Sequence, residues 1–280
     1  ANVARPEPAA EGAEHRPPTL PPALRAGLRI LVAEDHPTNQ YVIGRQLGTL
    51  GYVADIANDG RQALEMLDRE GADYVLLLAD MHMPELDGLE LTREIRQSET
   101  SGKRSGHLPI IALTASAVRG EAERCLAAGM DDYLSKPASL QVLGLKLQRW
   151  LSGAGADPIS AGKPTVVASA AVDTPVDLAA LRELIGGYDG SLSGVLADFI
   201  RINDPVMTSM DEALTRRDAA ALRLAAHRLL GSARTIAART LADALAALEQ
   251  AATDQREEHF RSLLAAAQRE FERVREAVLQ

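Results

Sequence analysis

Short apolar runs that alternate with helical patterns set the strongest limit on how this chain can fold. Between residues 28 and 151, five such runs are separated by segments whose apolar residues recur every three or four positions. A strand that is apolar along its whole length is buried on both faces, as in a parallel sheet covered by helices. The pattern predicts an α/β doubly wound domain with a five-stranded parallel sheet. The predicted strands are residues 28–33, 52–56, 74–79, 108–113 and 133–134, and the predicted helices are residues 39–50, 60–67, 88–97, 119–128 and 140–151.

The strand pattern stops in the last third of the chain, where apolar residues keep a spacing of three and four positions. Asp177, Asp189 and Asp218 are suited to cap helices, and Pro205 suits the first turn of a new helix. These features predict an all-α four-helix-bundle domain with short connections. We expect helices at residues 178–184, 191–203, 206–216, 219–236, 240–252 and 257–279.

Two segments without an apolar period divide the chain. Residues 1–27 contain six prolines, which predicts a Pro-rich linker arm. Residues 152–176 mix Gly, Ala, Ser, Thr and Pro with few charges, which predicts a flexible linker. We therefore expect two domains, at residues 28–151 and 177–280.

Composition excludes several classes of function. The net charge of −9 is shared by both predicted domains, which argues against nucleic-acid binding. No stretch reaches the roughly 18 apolar residues that a membrane helix needs, so we expect no membrane contact. A single cysteine, Cys125, allows no intramolecular disulfide and favours a reducing, cytoplasmic location. The chain begins at Ala1 without a signal-peptide pattern, and we expect it to be part of a longer protein.

Acidic residues cluster at the predicted carboxyl edge of the sheet. Glu34 and Asp35 follow the first strand, and Asp80 follows the third. A single Asp there is commonly a helix cap, but three carboxylates without a compensating Arg repel one another, and Mg²⁺ resolves that conflict. Thr114 ends the fourth strand and Lys136 follows the fifth, adding a hydroxyl and a positive charge. Together these groups suit a phosphoryl group on a carboxylate oxygen.

Four segments resemble the receiver domain of two-component signalling, which has a flavodoxin-like fold. They are LVAEDHPTN at residues 31–39, DMHMPELDG at residues 80–88, LTASA at residues 113–117 and YLSKP at residues 133–137. The resemblance implies that Asp80 is the phosphoacceptor. It also implies that Glu34, Asp35, Asp80 and the backbone carbonyl of His82 bind Mg²⁺.

The same resemblance assigns roles to residues near the phosphoryl group. It implies that Thr114 and Lys136 contact this group, and that Tyr133 is an aromatic switch that turns inward when Thr114 moves. The alternative for Tyr133 is a half-buried core residue. The peptide bond before Pro137 is expected to be cis.

His227 has the most informative surroundings of the six histidines. It lies within a predicted helix and looks outward if the apolar residues of that helix face the core. Gly231 lies one turn later, and its cost within a helix suggests close approach of another protein. Arg223, Arg228 and Arg234 lie near enough to favour a phosphoryl group on the imidazole. The apolar residues expected to face the core are Leu222, Leu224, Leu229 and Ile236.

The segment AHRLLGSA at residues 226–233 resembles the motif of histidine phosphotransfer domains, four-helix bundles that carry a phosphoryl group on one exposed His. Two positions depart from the family pattern. Leu230 stands where a Lys is common, and Arg234 stands where a small residue is common. We expect Arg234 to supply the cation that Leu230 lacks. The alternative is a degenerate domain with slow transfer.

A receiver followed by a phosphotransfer domain resembles the C-terminal region of a bacterial hybrid (tripartite) sensor histidine kinase. The resemblance implies a relay in which Asp80 accepts a phosphoryl group from a kinase histidine, His227 takes it from Asp80, and a response regulator aspartate receives it. The partners are then a kinase core in the same parent chain, itself the cytoplasmic part of an inner-membrane sensor, and a response regulator receiver. The motifs of an ATP-binding kinase core are absent from this sequence.

Two alternatives come from other functional classes. An aspartyl phosphatase places a second Asp two residues after its nucleophile, and His82 occupies that position here. An interaction module would have a degenerate phosphotransfer domain, and its receiver would act as a phosphate sink or kinase inhibitor. Leu230 slightly favours the interaction module, whereas the complete receiver set argues against it.

Overall fold

The computed structural model of the chain describes residues 27–69, 71–114, 119–152, 174–185 and 192–278. Within these ranges, residues 27–152 form an α/β domain and residues 174–278 form a helical domain. The two predicted linkers lie almost wholly outside the described residues, and so does the predicted cap at Asp189.

Five parallel strands in the order β2-β1-β3-β4-β5 form the sheet of the α/β domain. This arrangement confirms the predicted fold class, and the strand order reverses beside β1 and β3, where such sheets place their sites. The strands are β1 (Arg29–Ala33), β2 (Val53–Ala57), β3 (Tyr74–Asp80), β4 (Ile110–Thr114) and β5 (Asp132–Ser135). The helices are α1 (Pro37–Thr49), α2 (Gly60–Leu67), α3 (Gly88–Thr100), α4 (Arg119–Ala127) and α5 (Leu140–Leu151).

Successive side chains of the buried strands point to opposite faces of the sheet, and this alternation forms two apolar layers. Leu31 and Leu77 face one side, where they pack with residues of α2, α3 and α4. Ile30 and Leu76 face the other side, where they pack with residues of α1 and α5. The central strands are therefore buried on both faces, as their continuous apolar sequences predict.

Helix α1 begins two residues earlier than predicted because of its cap. The Nδ1 atom of His36 accepts a hydrogen bond from the backbone N–H of Thr38, and Pro37 occupies the first turn. The cap places the N-terminus of α1 next to the end of β1. The Lys136–Pro137 peptide bond is cis, as expected.

The helical domain contains one long helix where two were predicted. Helix α7 runs without a break from Leu192 to Arg216 and includes Pro205, so the predicted break is wrong. Pro205 removes one backbone hydrogen bond, whereas Phe199 and Met207 on either side are buried in the bundle and hold the helix together. The helices of this domain are α6 (Leu178–Leu184), α7 (Leu192–Arg216), α8 (Ala219–Thr235), α9 (Arg239–Thr253) and α10 (Glu257–Val278).

Helix α1 also joins the two domains. Val42 on α1 is buried in the apolar core of the helical domain. The Gln46 side chain donates hydrogen bonds from Nε2 to the carbonyl oxygens of Leu184 in the helical domain, at 2.6 Å, and of Ala138 in the α/β domain, at 2.8 Å. The domains therefore dock through a defined surface. Among the described residues, no helix has both the length and the apolar character needed to cross a membrane.

Candidate functional site

Three carboxylates meet at the carboxyl edge of the sheet. Glu34 and Asp35 directly follow β1, and Asp80 is the last residue of β3. One oxygen atom from each lies within 4.8 Å of the others. The chain after β3 folds back so closely that a Cβ atom on Gly88 would lie 2.2 Å from the backbone oxygen of Asp80, so this position requires glycine.

Lys136 is buried against two of these carboxylates. Its Nζ atom lies 2.7 Å from Glu34 Oε2 and 2.7 Å from Asp80 Oδ2. Burial alone would lower the pKa of Lys136, but the charges of Asp80 and Glu34 outweigh burial and raise that pKa. Burial raises the pKa of Glu34, and Lys136 opposes the change. Lys136 is therefore a fixed positive charge between the two carboxylates.

The third carboxylate is paired with a residue of the other domain. Arg228 Nη2 on α8 lies 2.9 Å from Asp35 Oδ2. Burial raises the pKa of Asp35, and the Arg228 charge opposes the change. The expectation that no Arg compensates this cluster is therefore wrong, because the compensating residue is distant in sequence and arrives through domain docking.

Thr114 is the last residue of β4, and Tyr133 lies within β5. The Thr114 hydroxyl is buried and donates a hydrogen bond to Glu121 Oε2 at 2.9 Å. The Tyr133 ring is half-buried, with Lys146 Nζ 5.4 Å from its centroid. Because residues 115–118 lie outside the described residues, the switch role of Tyr133 stays a prediction. Glu121 was not predicted, since no motif distinguishes it from other acidic residues of a helix.

His227 faces the α/β domain and is half-buried. Its ring centroid lies 4.9 Å from that of His82, with the two rings at 70° to each other. The expectation that Leu224 packs in the core is wrong, because this residue shares the His227 face of α8 and is 53% exposed. Leu230 is instead only 4% exposed and belongs to the core of the helical domain.

Glu249 on α9 fixes the tautomer of His227. His227 Nδ1 lies 2.8 Å from Glu249 Oε1, and an ionised carboxylate can only accept, so Nδ1 carries the proton and donates. Burial raises the pKa of Glu249, but the hydrogen bond from His227 and the charges of Arg223 and Arg234 lower it overall. The Nε2 lone pair of His227 is left available for chemistry. Sequence reasoning missed Glu249 because it lies on another helix, 22 residues away.

Gly231 contacts the chain's own α/β domain. A Cβ atom at this position would lie 3.9 Å from Asn39 Nδ2, which is ordinary van der Waals contact. The α/β domain therefore lies against Gly231, as the glycine suggested, but a larger residue at this position would not clash with it.

The carboxylate cluster and His227 line a single cavity of about 470 Å³ between the domains. The three predicted cations of α8 also reach it, and one of them, Arg228, is bound to Asp35. The charged groups that line the cavity are the carboxylates of Glu34, Asp35, Asp80, Glu121 and Glu249 and the cations of Lys136, Arg223, Arg228 and Arg234. Asp80 and His227 thus line the same cavity.

Comparison with protein families identifies the two domains. Residues 30–148 match the response regulator receiver domain, and residues 194–277 match the Hpt domain. The chain therefore joins a receiver domain to a histidine phosphotransfer domain. The α/β domain is the receiver, and the helical domain is the phosphotransfer domain.

The relatives of this chain are sensor proteins. The chain is similar to the sensor histidine kinase RcsC of Salmonella typhimurium, with 45% identity over 116 residues, covering 41% of this chain and 11% of that protein. It is similar to the virulence sensor protein BvgS of Bordetella pertussis, with 31% identity over 237 residues, covering 84% of this chain and 19% of that protein. The chain thus spans about a tenth to a fifth of the length of these relatives.

A solved receiver domain of a Pseudomonas aeruginosa sensor histidine kinase is 47% identical, with a TM-score of 0.40. The match covers 45% of this chain and 99% of that one, which has a magnesium ion in its active site cleft.

Proposed function

We propose that this chain carries the two middle steps of a phosphorelay. Asp80 accepts a phosphoryl group from a kinase histidine and passes it to His227, which donates it to a response regulator aspartate. One observation supports this above all: Asp80 and His227 line the same cavity of about 470 Å³. The donor and acceptor of the inner step are therefore already assembled in one chain.

We propose Mg²⁺ as the cofactor, held by Glu34, Asp35, Asp80 and the backbone carbonyl of His82. Clustered carboxylate oxygens are the donors that Mg²⁺ prefers. The described lining of the cavity has five carboxylates and four cations, so it is net negative without a metal. A phosphoryl group carries about two negative charges and would be repelled. Mg²⁺ held by these residues would make the lining net positive and would neutralise phosphoryl oxygens.

The chemistry of the inner step follows from the hydrogen bonds. The Nε2 lone pair of His227 attacks phosphorus, a P–N bond forms, and the P–O bond to Asp80 breaks with its electron pair returning to the Asp80 carboxylate. The Nδ1 proton stays on the imidazole, where Glu249 accepts its hydrogen bond and stabilises the charge that develops on the ring. Lys136, 2.7 Å from Asp80, stabilises the leaving carboxylate.

The environment of the site favours transfer over the alternative functions. Burial, followed by the nearby His227, lowers the pKa of His82, so this residue is a poor substitute for the acidic Asp of an aspartyl phosphatase. Leu230 is buried in the bundle, which gives it a structural reason to be apolar. Leu230 borders the cavity, and the cations Arg223 and Arg234 line it as well. A degenerate phosphotransfer domain would not require this arrangement.

The outer steps concern the larger protein. We propose that the kinase core belongs to the same parent chain, because this chain covers only 11% and 19% of the sensor proteins to which it is similar. The acceptor of the last step is the receiver of a separate response regulator. A cytoplasmic location stays a prediction from the single cysteine.

The chemical stability of the label tests the proposal. After incubation with a labelled small phosphodonor and Mg²⁺, the parent chain should carry both hydroxylamine-sensitive label, on an aspartyl phosphate, and acid-labile but base-stable label, on a phosphohistidine. The Asp80→Asn variant should carry neither. The His227→Gln variant should carry only the first, whereas His259→Gln, a change at an exposed histidine, should match the parent. Base-stable label on the His227→Gln variant would contradict the assignment.

A further inference from the structure

The interface between the domains contains a buried polar cluster that the phosphoryl chemistry does not use. His36 and Asn39 of the α/β domain meet Asn203, Ser232 and Thr235 of the helical domain, and all five side chains are buried. We call these five residues the polar cluster. A buried polar group without a partner costs roughly 1–3 kcal/mol, so the partners in such a cluster have to match.

The hydrogen-bond partners of His36 determine which of its ring nitrogens donates and which accepts. The Asn203 amide donates from Nδ2 to the Phe199 carbonyl at 2.8 Å, which leaves its Oδ1 facing His36. That oxygen lies 3.0 Å from His36 Nε2 and can only accept, so Nε2 donates and Nδ1 must accept. Nδ1 already accepts the Thr38 backbone N–H at 3.3 Å, and the Ser232 hydroxyl, 2.9 Å from Nδ1, donates to it in preference to the Arg228 carbonyl 3.3 Å away. Both ring nitrogens of His36 are therefore matched to the helical domain.

The side-chain amide of Asn39 is likewise oriented by its hydrogen-bond partners. Its Nδ2 donates to Glu34 Oε1 at 2.9 Å, so its Oδ1 faces the helical domain. The Thr235 hydroxyl donates to that oxygen at 2.8 Å. Asn39 therefore connects a carboxylate of the proposed metal site directly to α8.

We infer that the polar cluster selects the chain's own receiver as the docked partner of the helical domain, and that another receiver reaches His227 only by displacing it. This inference rests on the proposed function. A receiver with an apolar side chain in place of His36 would leave Asn203 Oδ1 buried without a partner, and Ser232 Oγ would keep only its bond to the Arg228 carbonyl of its own helix. The surface of α7 and α8 thus fits receivers that present a donor and an acceptor at these positions. While the own receiver is docked, His227 is half-buried beneath it.

Transfer between two chains tests the displacement. The donor is a full chain with His227→Gln that carries the phosphoryl group on Asp80. The acceptor is a full chain with Asp80→Asn, whose intact His227 is covered by its own inactive receiver. Adding His36→Ala and Asn39→Ala to the acceptor alone frees its His227 and leaves the donor receiver unchanged, so transfer should accelerate at least tenfold. The control adds Thr49→Val, at the exposed far end of α1, and should leave the rate unchanged.

The rotational tumbling of the full chain, measured without any phosphodonor, tests whether the polar cluster holds the two domains together. ¹⁵N relaxation of the parent should give one rotational correlation time for both domains. The His36→Ala, Asn39→Ala chain should give two shorter times. The Ser232→Ala, Thr235→Val chain should do the same, whereas Ser209→Ala, Thr215→Val, two exposed hydroxyls with similar intrahelical bonds, should match the parent.

The outcomes separate the inference from the proposed function. Unchanged transfer between chains together with a single correlation time in both cluster variants would overturn the inference, even if transfer within the chain is efficient. If no chain transfers phosphate at all, the proposed function fails, and the correlation times alone then decide whether the polar cluster holds the domains together.

Discussion

Arg228 of the helical domain forms an ion pair with Asp35 of the α/β domain, with Nη2 and Oδ2 2.9 Å apart. Asp35 is also one of the three clustered carboxylates at the sheet edge. We therefore expect Arg228 to compete with the proposed metal for this carboxylate, which would link domain docking to metal binding.

We predict that Arg228→Ala strengthens Mg²⁺ binding, because it removes both a competitor for Asp35 and a nearby positive charge. Arg228 is partly exposed, so the gain should be only about three- to tenfold in affinity. Asp35→Ala should weaken binding by more than tenfold. NMR titration of the full chain measures both, with Arg216→Ala, an exposed residue paired to Glu212, as the control. Weaker Mg²⁺ binding in Arg228→Ala would show that the pair does not compete with the metal.

Glu249 is predicted to act as a positioning residue for His227. Glu249→Ala should slow transfer from Asp80 to His227 by about ten- to a hundredfold, and Glu249→Gln, which retains an acceptor oxygen, by less. The readout that separates positioning from stability is the imidazole ¹⁵N spectrum, which should show the Nδ1–H tautomer in the parent and a mixture in Glu249→Ala. Glu212→Ala, an exposed residue of the same domain, is the control. An unchanged tautomer in Glu249→Ala would contradict the role.

Leu230→Lys is predicted to destabilise the helical domain rather than restore a phosphate-binding cation. Leu230 is 4% exposed and packs in the core of the helical domain, although it also borders the cavity, so replacing it with an ammonium group is costly and we expect a loss of about 2–4 kcal/mol in unfolding free energy. Leu224→Lys, at a residue 53% exposed on the same helix, should change it by less than about 0.5 kcal/mol. Urea unfolding measures both variants. Equal stabilities would show that the Leu230 position opens readily to solvent.

Arg234→Ala is predicted to slow transfer to and from His227. Arg234 lines the cavity, and its charge helps to lower the pKa of Glu249. Rapid-quench rates should fall in this variant by more than in Arg216→Ala, since Arg216 is an exposed residue of the same domain. Faster transfer in Arg234→Ala would mean that the side chain obstructs the acceptor.

Local sequence patterns predict much of this fold and of the site. Continuous apolar runs predict β1, β3 and β4 because those strands are buried on both faces, and the strand ends then bring Asp80, Lys136 and Thr114 to one edge. The helix break predicted at Pro205 is wrong, because packing on both sides of a long helix outweighs one lost hydrogen bond. Contacts between distant segments, such as His227 with Glu249, have no local signal in the sequence and became visible only with the tertiary structure.

The proposed phosphorelay depends most directly on transfer within a single chain. The measurement is to label Asp80 of the full chain with a small phosphodonor and Mg²⁺, remove the donor, and follow the label to His227 over a hundredfold range of chain concentration. Because both residues line one cavity, we predict a first-order rate that does not change on dilution. Label that remains on Asp80, or a rate proportional to chain concentration, would contradict it.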